Sequence, residues 1–124
     1  MSSSTTVRAA HLLIKHTGSR NPVSRRTNQT ITTSPQLAYQ ELQQYEQSIL
    51  EQVNTGNVDL GTIFRQYASE RSDCSSHQHG GDLGEFTCGQ MQKPFEDAAF
   101  ALQPGQMSTI VSTDSGYHLI YRIS

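Results

Sequence analysis

The middle of the chain carries a helical period that limits the fold class. Ala38, Leu42, Tyr45, Ile49 and Val53 recur at the spacing of one helix face. Ser34-Pro35 precedes them with an N-cap oxygen and a first-turn proline, and Gly56 supplies a C-terminal cap. A second, shorter helix is predicted from about Asp59 to about Arg71, with Leu60, Ile63, Phe64 and Tyr67 on one side. Pro94 begins a third, carrying Phe95, Ala98, Ala99 and Leu102 and stopped by Pro104-Gly105. Around these helices the pattern is that of strands. Val7 to Ile14 is an aliphatic run of strand length, and a short strand is predicted around Leu83 to Thr87. Met107 to Ser112 and Tyr117 to Ile123 alternate as strands do, joined by the turn Thr113-Asp114-Ser115-Gly116. The Gly-rich stretch Ser72 to Gly84 reads as turn with one helical turn inside it. The order is therefore βαα, a short loop helix, then βαββ. It predicts an α+β domain: a small, mainly antiparallel four-stranded sheet surrounded by about four helices.

A chain of 124 residues fits one domain, expected over residues 7–124 behind a flexible Ser/Thr-rich tail at residues 1–6. Charged residues make up 16% and the net charge is -2, so no electrostatic footprint for nucleic acid or an anionic membrane exists and any anion site must be local. No stretch approaches the roughly 20 apolar residues of a membrane span, and no secretory signal is evident. The two cysteines, Cys74 and Cys88, are then expected to be reduced thiols in the cytoplasm, or in a nucleus that a domain this small can enter. A monomer is expected. Asn28-Gln29-Thr30 matches a glycosylation sequon by chance.

In the first strand His11, Leu13 and Lys15 share one face, and roughly 13 Å separates the imidazole from the lysine. The polar segment His16 to Thr33, with Arg20, Arg25 and Arg26, reads as a long exposed loop, and ordered domains seldom keep such a loop without a use. Two alternative chemistries can be drawn. Cys74, His77, His79 and Cys88 suggest zinc, but their spacing matches no common structural site, so neither metal nor cofactor is expected. A cysteine hydrolase built on Cys74 with His11 or His118 lacks both a local nucleophile signature and the usual size.

Five stretches in order, His11-Leu12-Leu13-Ile14-Lys15-His16, Ser72-Asp73-Cys74-Ser75-Ser76, Gly80-Gly81-Asp82-Leu83-Gly84, Met91-Gln92-Lys93-Pro94-Phe95-Glu96 and Thr113-Asp114-Ser115-Gly116-Tyr117-His118, resemble the parvulin family of peptidyl-prolyl cis/trans isomerases. The resemblance runs from about Val7 to the C-terminus. It implies the parvulin fold, which is FKBP-like. Asp73-Cys74-Ser75-Ser76 and the basic loop resemble the Pin-type branch, directed to phosphoserine or phosphothreonine before proline, in its form without a WW domain. Phosphorylated Ser/Thr-Pro proteins are the implied partners.

The resemblance further implies that Leu83, Met91 and Phe95 form a slot for the proline ring, with the Gln92 backbone beside the peptide. Each apolar residue taken alone reads equally as core. His11, Cys74, Ser115 and His118 are implied as the catalytic polar surround, with Thr113 close by. The two histidines can alternatively be a structural pair that orients the sheet, and Cys74 can act through its partial negative charge or as a nucleophile. A non-covalent twist needs less machinery and is the expected mechanism. For phosphate, Lys15 and Arg20 match the branch, whereas Asn21 stands where a second arginine is expected. Arg25 and Arg26 follow in the same loop, as substitute ligands or as a solvated basic pair. A binding module without catalysis would need the basic loop and slot but not the polar surround, and the surround is complete here.

Overall fold

The strand Val7–Ile14 (β1) is buried along nearly its whole length, because it lies inside a sheet that is covered on both sides. The computed structural model describes residues 6–56 and 58–124; of the expected tail, residues 1–5 lie outside the described residues. After β1 and a long loop come the helices Pro35–Gly56 (α1) and Leu60–Arg71 (α2), then a 3-10 turn at Ser75–His79. The chain continues through Asp82–Phe86 (β2), Lys93–Ala101 (α3), Val111–Thr113 (β3) and Gly116–Arg122 (β4). The four strands are ordered β2-β1-β4-β3, every neighbouring pair antiparallel.

Period two explains the two cores. Ala10, Leu12 and Ile14 of β1 point to one face, where they meet Ala38, Leu42 and Ile49 of α1 and Ile63, Phe64 and Ala68 of α2. Val7 and Ala9 point to the other, against Phe86, Phe95 and Ala99 around α3. His11, packed against Phe95 of α3, and Lys15 continue that second face, so the strand's polar end becomes available as a site.

Local signals place the helices where the periodicity put them. The Asp59 carboxylate caps α2 by accepting from Thr62 N at 3.0 Å, and Pro94 lies in the first turn of α3. Gly81 enters β2 at φ +80°, where a Cβ would overlap the carbonyl oxygen of His11. One expectation fails. Only Val111–Thr113 of the predicted strand Met107 to Ser112 is paired as a strand, with an isolated bridge from Met107 to Tyr121. Ser108 is the reason: its hydroxyl accepts from Ile120 N at 3.0 Å while its own N–H bonds the Ile120 carbonyl, so a side chain replaces the next rung. Among the described residues the helices are three α-helices and the 3-10 turn. No helix among the described residues is long and apolar enough to cross a membrane.

Candidate active site

β1 and β4 are neighbours, and their register brings His11 beside His118. The two rings are stacked with centroids 5.1 Å apart, and their Nδ1 atoms are 2.9 Å apart, a hydrogen-bond distance. His118 Nε2 lies 2.7 Å from Thr113 Oγ1, which also accepts from Ser115 N at 3.1 Å. Phe95 stands edge-on to both imidazoles. Burial, and then the neighbouring His11, push the His118 pKa well below the ordinary imidazole value, so this ring is neutral at physiological pH.

Cys74 stands just before the 3-10 turn and is half-buried. Burial pushes its thiol up, yet His11, and behind it Ser76, more than offset this and bring the pKa down to about 6. No hydrogen bond to His11 is formed in full: His11 Nε2 is buried without a partner among the described residues, although its ring is close enough to influence the thiol. A thiolate at neutral pH favours a proton on His11 Nε2. His11 Nδ1 and His118 Nδ1 share one hydrogen bond, and His118 Nε2 and Thr113 Oγ1 share another. Thr113, His118, His11 and Cys74 thus form one connected chain of polar groups.

Two cavities open on this chain. The smaller, about 250 Å³, is walled by Leu83, Met91 and Phe95 with the histidine pair at its base and Gln90, Gln92 and Ser115 at its rim. The larger, about 610 Å³, is lined by Lys15, Arg20, Asn21 and Arg25 on one side and by Leu13, Cys74, Ser75 and Ser115 on the other. Ser115 belongs to both, so an apolar slot and a basic groove share one wall. A broader depression of about 670 Å³ around Arg65, Asp82 and His79 holds neither the histidine pair nor the thiol.

The basic groove is built by anchoring the long loop. Lys15 is only 6% exposed, and its Nζ donates to the carbonyls of Asn21 at 3.0 Å and Val23 at 2.7 Å. Burial, with the nearby Arg25 adding, lowers its pKa from the ordinary lysine value. Arg20 N donates to Asp114 O at 2.7 Å, tying the loop to the β3–β4 turn. Gln92 joins the same turn from the start of α3: its Nε2 donates to Ser115 Oγ at 2.8 Å and its Oε1 accepts from Asp114 N at 3.0 Å.

The structure therefore gathers His11, Cys74, Ser115 and His118 with Leu83, Met91, Gln92 and Phe95, and sets Lys15, Arg20 and Arg25 beside them. Arg26 lies apart from this set. It is not in the groove lining, and its charge is felt instead at Tyr45 on α1, because adjacent loop residues diverge where the chain turns. Gln92, expected to act through its backbone, uses its side chain to hold the turn. Gln90, Ser75 and the buried Asp73 were missed; the last stood in plain view as a carboxylate next to the thiol. Among the described residues no group of three or more His, Cys, Asp or Glu side chains is disposed to hold a metal ion.

A family model described as Rotamase, a PPIC-type PPIase domain, matches residues 11–124. A peptidyl-prolyl cis-trans isomerase NIMA-interacting 1 from Theileria annulata is 48% identical over 118 residues, covering 95% of this chain and 80% of that protein. Peptidyl-prolyl cis-trans isomerase Pin1 from Arabidopsis thaliana is 45% identical over 125 residues, with 98% of each chain covered. Among solved structures, that of TbPIN1 in solution is 49% identical with a TM-score of 0.79, over 96% of this chain and 97% of the other. The isomerase ESS1 from Candida albicans has a TM-score of 0.83 at 42% identity, over 96% of this chain and 63% of that one.

Proposed function

The chain belongs to the PPIC-type, or parvulin, family and is a peptidyl-prolyl cis/trans isomerase; on that premise we propose that it acts on phosphoSer-Pro and phosphoThr-Pro bonds, by non-covalent stabilisation of the twisted amide. The observation that carries this reading is the wall shared at Ser115 between the apolar slot and the basic groove. A proline ring held by Leu83, Met91 and Phe95 sets the preceding residue at that wall, and a phosphate on that residue meets Lys15, Arg20 and Arg25. Lys15 spends two of its three protons on loop carbonyls, so its role is to shape the groove as well as to add charge. Arg25 takes the place of the arginine missing at Asn21. Guanidinium forks suit phosphate oxygens.

Rotation must cross roughly 18 to 20 kcal/mol, and a catalyst gains about tenfold for each ~1.4 kcal/mol by which it prefers the twisted amide over the planar one. Planarity places partial negative charge on the carbonyl oxygen, and twisting withdraws it. A thiolate near that oxygen therefore disfavours the planar states more than the twisted one. His118, bonded to His11 Nδ1, orients the His11 ring so that Nε2–H faces the sulfur and keeps it ionised. No bond is made or broken in this account.

The test is exchange NMR of matched phosphoSer-Pro, Glu-Pro and Ser-Pro peptides at fixed salt. A strong preference for the phosphopeptide is expected. Equal turnover of all three would make the enzyme indifferent to phosphate, and phosphopeptide binding without acceleration would make the groove a binding module.

A further inference from the structure

Asp73 lines neither cavity, yet its carboxylate accepts from three different residues and is 1% exposed. Its Oδ2 accepts from Lys15 N at 3.0 Å, and its Oδ1 accepts from Ser24 Oγ at 2.7 Å and from Arg71 Nη1 at 3.1 Å. Its backbone is committed as well: Asp73 N donates to Leu13 O, and Arg25 N donates to Asp73 O, each at 2.8 Å. Ser24 relays the grip, its hydroxyl oxygen accepting from the N–H groups of Arg26 and Thr27. Arg71 is itself fixed by two bonds to Glu41 of α1. One side chain thus joins the end of β1, the basic loop and the end of α2, and the next residue is the thiol.

We propose that Asp73 is the positioning residue that sets the basic loop against Cys74, and so determines discrimination for phosphate without touching substrate. The inference rests on the phosphate-directed reading given above. Its logic is geometric. The loop from His16 to Thr33 has no helix or strand of its own beyond the bridge Val23 to Thr30, so the places of Arg20 and Arg25 depend on its anchors. Asp73 receives two of them, the Ser24 hydroxyl and the Arg25 N–H, within one residue of the catalytic sulfur. A buried carboxylate with three donors loses at least one of them on conversion to an amide, since the NH2 group cannot accept.

The test compares wild type, Asp73→Asn and Ser24→Ala on phosphoSer-Pro and Ser-Pro peptides, together with amide hydrogen exchange. In Asp73→Asn the phosphopeptide kcat/KM should fall about tenfold or more, chiefly through KM, while Ser-Pro turnover stays within about twofold. Ser24→Ala should shift the same ratio by a smaller factor, and it serves if the Asn variant does not fold. Exchange at the Lys15 and Arg25 amides should quicken in both variants while Leu119 in the core is unchanged. Equal loss on both peptides, or an unaltered phosphopeptide KM, overturns the proposal. Were wild type indifferent to phosphate, the phosphate-directed reading would fail and Asp73 with it as a determinant of selectivity. Quickened loop exchange in that case would show that the failure lies with the ligand and not with the anchoring.

Discussion

The Cys74 thiol, lowered to about 6 by His11 against the opposing effect of burial, gives catalysis a pH signature. In the proposed mechanism the active form is the thiolate, so activity should be present above about 6 and decline as pH falls through that value. A Glu-Pro peptide is the substrate of choice, because a phosphate titrates with a second pKa of about 6 and would obscure the limb. Cys74→Asp should keep substantial activity and move the acidic limb toward the carboxylate range near ~4, which kcat/KM profiles would show. A dead Asp variant would argue instead for an obligatory nucleophile. Arg25 and Arg26 make a second contrast. Arg25→Ala should weaken phosphopeptide binding by about tenfold, the scale of a charge-assisted hydrogen bond, whereas Arg26→Ala should stay within about twofold by calorimetric titration. The difference was not legible in the sequence: the two are adjacent, of one type, in a loop without period. The histidines, the thiol and the slot residues were legible, since each lies in a stretch that resembles a known family. Asp73 lay in such a stretch too, but its importance depends on Ser24, whose approach across 49 positions no local pattern announces.

At the level of elements, Gly81 shows what the β2 entry requires. A methyl group there would overlap the His11 carbonyl and come within 2.9 Å of Ala68 Cβ, at a backbone angle that L residues avoid. Gly81→Ala should cost more than about 3 kcal/mol in urea unfolding, the sum of an unfavourable φ and a clash. Gly84, also at positive φ but with nothing within 4 Å, should cost only about 1 kcal/mol on the same substitution. Helix positions were readable because Ser34, Pro35, Asp59 and Pro94 act on their own backbone neighbours. The length of β3 was not, because Met107 to Ile110 alternates like a strand while Ser108 diverts its rung through a hydroxyl.

Across the whole molecule, a net charge of -2 coexists with a groove carrying Lys15, Arg20 and Arg25. In the proposed reading, attraction for a phosphate is then local and exposed to screening. Raising salt from about 0.05 to about 0.5 M should reduce the phosphopeptide preference severalfold, while Ser-Pro turnover measured by exchange NMR holds steady. The two-sided sheet makes this possible: one face is closed by α1 and α2 and carries the main core, leaving the other free to hold cavities. The wall at Ser115 has a further consequence. Because slot and groove share that wall, the site in the proposed reading is a gauge of spacing. A phosphate moved one residue along an extended peptide would be displaced by about 3.3 Å and turned to the opposite side. In the proposed reading, only a modification written directly before proline is legible to this enzyme, however acidic the surrounding sequence.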